Sequence, residues 1–238
     1  MDMNSFEFLP WDSAFFGYRV ARVVINNDDP YDYEQTLRIL DQEQARLTYI
    51  LVSPEALLLN SMIKESGGLL VDKKVTFCKT SASHSGFRNE IMEYSGTGEE
   101  KELSELALQA GLYSRFRVDC NFRNGEYERL YKKWLENSLN GKVASSVIIA
   151  RTEERISGLI TLGARGNFAD IGLLAVDRSY VGMGIGSELV YYADNEAYAK
   201  GFSIIKVVTQ LDNERACLLY KKCGFSVESL INTYHMWL

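Results

Sequence analysis

Hydrophobic and polar residues along the chain repeat with two different periods, which predict a series of strands and helices. In the first third, apolar strand-like runs alternate with two segments of helical spacing, and Gly67-Gly68 is a typical end of the second helix. The order strand–helix–strand–helix–strand indicates an α/β layer. The predicted elements are residues 18–25, 33–47, 49–52, 55–66 and 69–78. The aromatic segment from Asp12 to Gly17 predicts a turn, with Phe15 and Phe16 in the core or, alternatively, against a ligand.

The polar residues from Ser81 to Asn89 show no hydrophobic periodicity and predict a linker or a long loop. We therefore expect two segments, a smaller one over residues 1–85 and a larger one over residues 90–238. In the larger segment, Gly166-Asn167 predicts a hairpin turn. Its predicted helices are residues 99–111, 126–139, 185–199 and 213–223, and its predicted strands are residues 90–94, 146–150, 156–162, 169–176, 203–208, 225–227 and 233–237.

The composition excludes several classes of protein. The 238 residues carry a net charge of −6, whereas a protein that binds nucleic acid needs a basic face. Only three prolines occur, which argues against long disordered linkers. No apolar run reaches the roughly 18 residues that a membrane span requires. The segment from Met1 to Trp11 lacks the basic and apolar regions of a signal peptide, so a cytoplasmic location is expected.

Cysteine and histidine are too sparse to suggest a disulfide scaffold or a metal site. None of the four cysteines belongs to a C-x-x-C pair, and the two histidines, His84 and His235, lie far apart in sequence. We expect free thiols, no bound metal, and histidines that are surface or core residues rather than catalytic bases. The cysteines are Cys78, Cys120, Cys217 and Cys223.

The segment from Leu173 to Leu189 contains the first candidate chemistry. A buried strand is followed by Gly182, Gly184 and Gly186 and then by a helix. Glycines let backbone N–H groups turn toward a ligand, and a helix N-terminus adds free donors and partial positive charge, so the segment predicts a diphosphate site. The spacing is not the G-x-G-x-x-G of a dinucleotide fold, and the Gly-Lys-Ser/Thr of a P-loop is missing. The structural alternative is a turn that only connects strand and helix.

A second pattern comes after the next predicted strand, and together the two patterns resemble the GNAT family of acyl-CoA-dependent N-acetyltransferases. The first pattern has Val176, Tyr180, Gly184 and Gly186, and the second has Asn213, Ala216, Tyr220, Gly224 and Phe225. The resemblance covers about residues 90–238. It departs from the family at Val181, where Arg or Gln is usual. Much of the affinity of this loop for the cofactor comes from main-chain N–H groups, so cofactor binding is expected despite the apolar residue at this position.

The resemblance implies an α/β (α+β) GNAT fold, with a mixed central sheet flanked by helices and an additional smaller N-terminal α/β unit. It also implies acetyl-CoA as co-substrate. The thioester would lie along the strand before the glycine loop, where that strand separates from its neighbour, and the loop amides would hold the diphosphate. The expected cofactor-binding residues are Leu174, Ala175, Val176, Val181, Gly182, Met183, Gly184, Ile185, Gly186, Ser187 and Asn213.

Asn213 and Tyr220 are seven residues apart, about two helical turns, so they share one helix face. Asn213 is also a natural N-cap. By the resemblance, Asn213 contacts the pantetheine arm and Tyr220 is the general acid that protonates the departing thiolate. The alternative for Tyr220 is a ring packed against the sheet. Asp72 is the candidate carboxylate for a water relay that takes the proton of the amine.

A narrower resemblance extends over nearly the whole chain, to the TDP-fucosamine acetyltransferases, which acetylate the 4-amino group of a dTDP-linked 4-amino-4,6-dideoxy sugar. It is carried by short blocks at residues 11–17, 114–117, 134–137 and 171–175. In the second block, Arg115 and Arg117 flank Phe116, an arrangement suited to diphosphate pairing and base stacking. The alternative is that these arginines form structural or solvated ion pairs.

Other hypotheses stay open at this point. The acceptor amine can belong to a small metabolite, an antibiotic or a protein. The chain can also be an inactive acyl-CoA-binding protein, which Val181 mildly favours. A homodimer is a further possibility, formed by pairing of an edge strand such as residues 233–237.

Overall fold

The computed structural model describes residues 6–25, 33–96 and 98–238. The chain divides into two compact units that interleave in sequence. Unit 1 consists of Met1–Lys74, Ser114–Asn121 and Leu230–Leu238, and unit 2 consists of Val75–Tyr113 and Phe122–Ser229. Two later segments thus join the N-terminal one in unit 1. The predicted division into residues 1–85 and 90–238 stays a prediction about independent domains, and it differs from these spatial units.

Unit 1 is built on strands of mixed direction. Its elements are β1 (Phe6–Phe8), α1 (Pro10–Phe16), β2 (Val20–Ile25), α2 (Tyr33–Gln42), β3 (Leu47–Val52), α3 (Leu57–Glu65), the first half of β4 (Leu69–Thr80), α5 (Arg115–Val118) and most of β10 (Ser226–Trp237). Strand β2 runs parallel to β3, while β1 pairs antiparallel with β2 and β10 pairs antiparallel with β3. Side chains from β2, β3, β10, α2 and α3 form its apolar core.

Unit 2 contains the longer part of the sheet and the longest helix. Its elements are the second half of β4, β5 (Glu90–Glu93), α4 (Glu100–Ala110), α6 (Glu126–Leu139), β6 (Ser146–Thr152), β7 (Arg155–Arg165), β8 (Phe168–Val176), α7 (Ile185–Ala199), β9 (Ile204–Gln210) and α8 (Glu214–Lys222). Strands β5 to β8 form an antiparallel series in which the predicted turn at Gly166 joins β7 to β8, and β8 is parallel to β9. The mixed sheet with helices and the α/β class are confirmed.

Helix α7 approaches the sheet of unit 2 closely because β7 has a glycine beneath it. A Cβ on Gly158 would lie 2.8 Å from Leu189 Cδ1 and 3.1 Å from Ile185 Cγ2, so a larger residue would require these side chains to shift. Ile185 and Leu189 are fully buried in the core of unit 2. Their packing over Gly158 helps to hold the N-terminus of α7 against the sheet.

Two sequence predictions of local structure are wrong. The aromatic segment after Pro10 is the short helix α1, which ends at Gly17 in the left-handed conformation with φ +78°. Seven residues with no buried position are too short for a helical period to be visible. The predicted strands 225–227 and 233–237 are one strand, β10.

The proposal of dimerisation through residues 233–237 is also corrected. These residues pair with β3 along their whole length, and β10 has β3 on one side and β4 on the other. Because β10 is an interior strand, it offers no free edge to a second copy. A homodimer through another surface stays a prediction.

The predicted linker or loop has no regular secondary structure, and side chains of α7 hold it by hydrogen bonds. Asp194 is fully buried and accepts hydrogen bonds from Lys79 Nζ at 2.7 Å and from Ser81 Oγ at 3.2 Å. Nε2 of His84 lies 2.6 Å from the same carboxylate. Farther toward the N-terminus of α7, Glu188 accepts hydrogen bonds from the backbone of Arg88 and Asn89. The segment is therefore a long loop that is held on α7, and it is called the strap below.

A buried histidine–carboxylate pair lies in the core of unit 1. His235 is fully buried, and its Nδ1 lies 2.6 Å from Asp119 Oδ2, which also accepts a hydrogen bond from Trp237 Nε1 at 2.9 Å. Burial lowers the pKa of His235 to about 4, although the hydrogen bond to Asp119 opposes this. His235 is therefore neutral at pH 7 and donates through Nδ1–H to the carboxylate. It is a core residue, as the sequence predicts.

The stability of the protein is expected to fall as the pH falls from 6.5 toward 4. His235 has a pKa of about 4 in the folded chain and 6.5 in the unfolded chain, so only the unfolded chain gains a proton in this range. The loss by pH 4.5 is about 2–3 kcal/mol. Denaturant unfolding at pH 7 and pH 4.5 measures it. The variant His235→Gln should show a smaller loss, and an equal loss in both proteins would contradict the assignment.

Candidate active site

The two parallel strands at the centre of unit 2 separate partway along their length. Pairing of β8 with β9 is confined to residues 169–171 opposite residues 205–207. In the described part of the chain, residues 172–176 of β8 have a strand partner on the β7 side only. One edge of this half-strand is therefore open, with backbone N–H and C=O groups that need partners. The opening lies where the sequence predicts the thioester.

The glycine loop follows β8 and leads into α7. Asp177 caps a short 3₁₀ turn at Arg178–Tyr180 by accepting a hydrogen bond from the Ser179 N–H at 2.8 Å. Gly182 and Gly184 then take the left-handed conformation, with φ +92° and +86°, which other residues adopt only with strain.

Gly184 is the N-cap of α7 and has no side chain to satisfy the first N–H groups of the helix. A Cβ on Gly182 or Gly184 would meet nothing within 4 Å, so space surrounds these donors. Val181 and Met183 are exposed beside them. A helix N-terminus with free donors and open space is a suitable site for a diphosphate. The loop thus has the conformation that the predicted role requires.

Tyr220 lies on α8 and is almost fully buried, at 4% exposure. Its ring contacts Phe77 and Phe225, each with ring centroids 5.8 Å away. Burial raises the pKa of Tyr220 well above its usual value of 10, and the neighbouring Cys223 and Cys217 add to the shift. Tyr220 is therefore neutral at pH 7, and its role as general acid stays a prediction. Packing against the sheet, the alternative for this residue, also occurs.

Asn213 is the N-cap of α8, since its side chain accepts a hydrogen bond from the Ala216 N–H at 3.2 Å. The cap uses the amide oxygen, and the Nδ2 group keeps two donors for another partner. The capping role is confirmed, and contact with pantetheine stays a prediction.

The predicted acceptor residues lie in unit 1. Arg115 and Arg117 are on the single-turn helix α5, and Phe116 between them is buried. The Arg115 guanidinium lies 4.3 Å from the centroid of the Tyr49 ring and 4.7 Å from that of Phe116. Its Nε and the hydroxyl of Ser114 are buried polar atoms with no hydrogen-bond partner in the described part of the chain. Buried polar groups normally have a hydrogen-bond partner, and contact of these two with a substrate stays a prediction.

Asp72, the proposed base, is a buried residue of β4 in unit 1, at 8% exposure. A buried carboxylate in a strand is consistent with a relay to water, and this role stays a prediction.

Three residues with structural roles in unit 2 were missed by sequence reasoning. Gln109 on α4 donates from Nε2 to the Val176 carbonyl, and Thr161 on β7 accepts from the Leu173 N–H at 2.8 Å. Asp194 holds the strap. Of the three, only Asp194 could have been identified from the sequence, because its carboxylate interrupts the apolar face of a predicted helix. In the sequence, Gln109 and Thr161 belong to no recognisable motif, and only the fold places them against β8.

Two features are absent from the described residues. No group of three or more His, Cys, Asp and Glu side chains with the geometry of a metal site occurs among residues 6–25, 33–96 and 98–238. Within the same residues, no helix is long and apolar enough to cross a bilayer.

The separated parallel strands, the glycine loop on a helix N-terminus and the buried tyrosine define an acyl-CoA-dependent transferase. Comparison with known families agrees: the model of the acetyltransferase (GNAT) family matches residues 109–225. The chain belongs to this family and is an N-acetyltransferase. Members of the family use acetyl-CoA.

Two curated relatives extend the match. A dTDP-fucosamine acetyltransferase from Escherichia coli O6:H1 is 31% identical over 232 residues, which cover 94% of this chain and 95% of the relative. The spore coat polysaccharide biosynthesis protein SpsD of Bacillus subtilis is 27% identical over 140 residues, 59% of this chain and 48% of the relative. The first match therefore includes both units of the chain.

Solved structures agree on the fold. A GCN5-related N-acetyltransferase from Sphaerobacter thermophilus superposes with a TM-score of 0.65 at 12% identity, covering 98% of this chain and 76% of that one. One from Kribbella flavida gives a TM-score of 0.61 at 12% identity, covering 99% and 88%. The predicted GNAT fold is confirmed.

Proposed function

We propose that the protein transfers the acetyl group of acetyl-CoA to the amino group of a nucleotide-linked amino sugar, a dTDP-4-amino-4,6-dideoxyhexose. The observation that carries the proposal is the 31% identity to a dTDP-fucosamine acetyltransferase over 95% of that enzyme. The family model covers only residues 109–225, whereas this match also includes most of unit 1. Similarity outside the family-wide segment supports a similar acceptor, because the acceptor is what distinguishes members of one family.

The described residues fit acetyl-CoA. The open edge of β8 offers backbone partners to an extended pantetheine arm, and the N-terminus of α7 offers free amides to a diphosphate. The glycine loop can bind the diphosphate despite the apolar Val181, because the donors of the loop are main-chain N–H groups. Acetyl-CoA supplies the activated acyl carbon, and the residues of this chain bind the reactants and transfer the protons.

The proposed reaction forms a C–N bond and breaks the C–S bond of the thioester. The backbone N–H groups of residues 174 and 176, which lie at the open edge, donate to the carbonyl oxygen as it gains negative charge. Tyr220 is the proposed donor of the proton that the thiolate sulfur takes up. The amine loses one proton, for which Asp72 is the proposed acceptor through water.

Unit 1 supplies the proposed contacts to the nucleotide. A guanidinium that lies over two aromatic rings is held in one orientation and still offers donors along its edge. Arg115 is such a group, and its buried Nε and the adjacent Ser114 hydroxyl add donors suited to an anionic oxygen. Arg117 is exposed on the same turn and is the second proposed diphosphate contact.

Release of CoA thiol from acetyl-CoA tests the proposed acceptor. We expect turnover with dTDP-4-amino-4,6-dideoxygalactose or its glucose epimer, and inhibition of that turnover by free dTDP. A UDP-amino sugar, streptothricin and a lysine peptide serve as alternative acceptors. Turnover with one of these alone would overturn the acceptor, and tight acetyl-CoA binding without any turnover would favour an inactive acyl-CoA-binding protein.

Replacement of the proposed general acid should separate catalysis from binding. Tyr220→Phe keeps the packing against Phe77 and Phe225 but removes the proton, so kcat should fall about 100-fold with little change in the Kd of acetyl-CoA. Steady-state kinetics and calorimetry measure the two quantities. Tyr198→Phe, at an exposed position of α7, is the matched control. A kcat within twofold of the wild type would exclude the role of Tyr220.

Loss of the proposed diphosphate contact should affect the acceptor alone. Arg115→Met keeps an unbranched side chain over Tyr49 but removes the charge, so the KM of the nucleotide sugar should rise about tenfold or more. The KM of acetyl-CoA should stay unchanged. Arg38→Met, at an exposed position of α2, controls for the loss of one positive charge. Equal effects on both KM values would argue for a structural role of Arg115.

A further inference from the structure

Strand β8 contains one more residue than its partner β7 at the start of the open edge. The register of the antiparallel pair shifts at this point, so that Gly172 and Leu173 together stand opposite the single residue Thr161. The neighbouring pairs are Leu162 with Ile171 on one side and Ile160 with Leu174 on the other. An extra residue of this kind is a β-bulge, and it leaves a backbone group of the ladder without its usual partner.

Thr161 supplies the missing partner. Its side-chain oxygen accepts a hydrogen bond from the Leu173 N–H at 2.8 Å, in a position that is only 2% exposed. The same oxygen would lie 2.8 Å from a Cβ on Gly172. The hydroxyl of Thr161 thus occupies the volume that a larger residue at position 172 would need, and the two residues fit only as a pair.

The bulge decides which amides of β8 reach the open edge. Successive N–H groups of a strand point to opposite edges. The N–H groups of Leu173 and Asp177 both point to β7, where they bond to Thr161 and to the Ser157 carbonyl. The N–H of Leu174 therefore points the other way, into the opening. Without the extra residue, Leu173 would stand opposite Ile160, and its amide would take this direction instead.

A second contact supports this assignment of directions. By the same alternation, the carbonyl of Val176 also points to the open edge. It accepts a hydrogen bond from Nε2 of Gln109, which lies on α4 and not on β7. The end of β8 is thus held from both sides, by Thr161 at the bulge and by Gln109 at the last residue.

We propose that Thr161 is a positioning residue for acetyl transfer: by holding the bulge, it directs the N–H of Leu174 at the oxygen of the thioester carbonyl. This inference rests on the proposed function, because it needs a thioester at the open edge of β8. Thr161 itself faces β7 and Leu173, so it acts through the backbone and does not touch the acyl group.

The experiment compares Thr161→Val with Thr161→Ser. Valine keeps the shape of threonine but removes the acceptor, whereas serine keeps the acceptor. We expect Thr161→Val to lower kcat about tenfold or more and Thr161→Ser to restore most of the loss. The Kd of CoA, which has no carbonyl at this point, should change less than twofold in both variants. Thr152→Val is the matched control, since it removes a hydroxyl bonded to Ser157 elsewhere in the same sheet.

A binding measurement makes the test independent of the acceptor. The ratio of the Kd values of CoA and acetyl-CoA reports the contact to the carbonyl, and it should fall several-fold in Thr161→Val alone. If the wild type binds acetyl-CoA but acetylates no sugar, the proposed acceptor is wrong and this ratio still decides the role of Thr161. Equal weakening of both ligands, an unchanged kcat, or no rescue by serine would overturn the positioning role, as would failure to bind acetyl-CoA.

Discussion

The separation of β8 from β9 is the constraint on which the rest of unit 2 depends. A strand inside a sheet normally has both edges paired, and unpaired backbone groups are costly when they are buried. Here the parallel pairing stops after residue 171 of β8, so the last residues of the strand keep donors and acceptors for a ligand. The helices that follow these two strands, α7 and α8, begin at the same end of the sheet because the strands are parallel. The glycine loop is thereby placed beside the opening, and Tyr220 lies on the helix that begins at the same end of the sheet.

Small residues let the helix and the strands approach closely enough to form this arrangement. Gly158 allows α7 to lie directly on β7, and the two left-handed glycines before α7 leave its first amides free. Burial then determines the chemistry of the tyrosine. Because the ring of Tyr220 is enclosed by aromatic and cysteine side chains, the neutral hydroxyl is favoured over the phenolate, and the pKa of Tyr220 is raised.

The strap over α7 shows how a segment without secondary structure can be well defined. Its polar groups are satisfied by Glu188, Asp194 and Asn195, which succeed one another along one helix. A fully buried carboxylate such as Asp194 is stable only with several donors, and Lys79 and the strap provide them. The strap and α7 therefore stabilise each other, and the helix that carries the glycine loop is held by polar contacts as well as by its apolar face.

The sequence by itself determined the elements with a long, regular period and the motifs whose chemistry is local. Helices α6 and α7 begin and end at the predicted residues, and the glycine loop and the N-cap at Asn213 were recognisable because backbone conformation and capping depend on neighbours in sequence. Only the tertiary structure decided the bulge at Thr161, the contact from Gln109 to Val176, the pairing of Asp119 with His235 and the interior position of β10. Each of these joins residues far apart in the chain, and no periodicity records such a contact, because the partner of a polar group is chosen by the packing of whole elements.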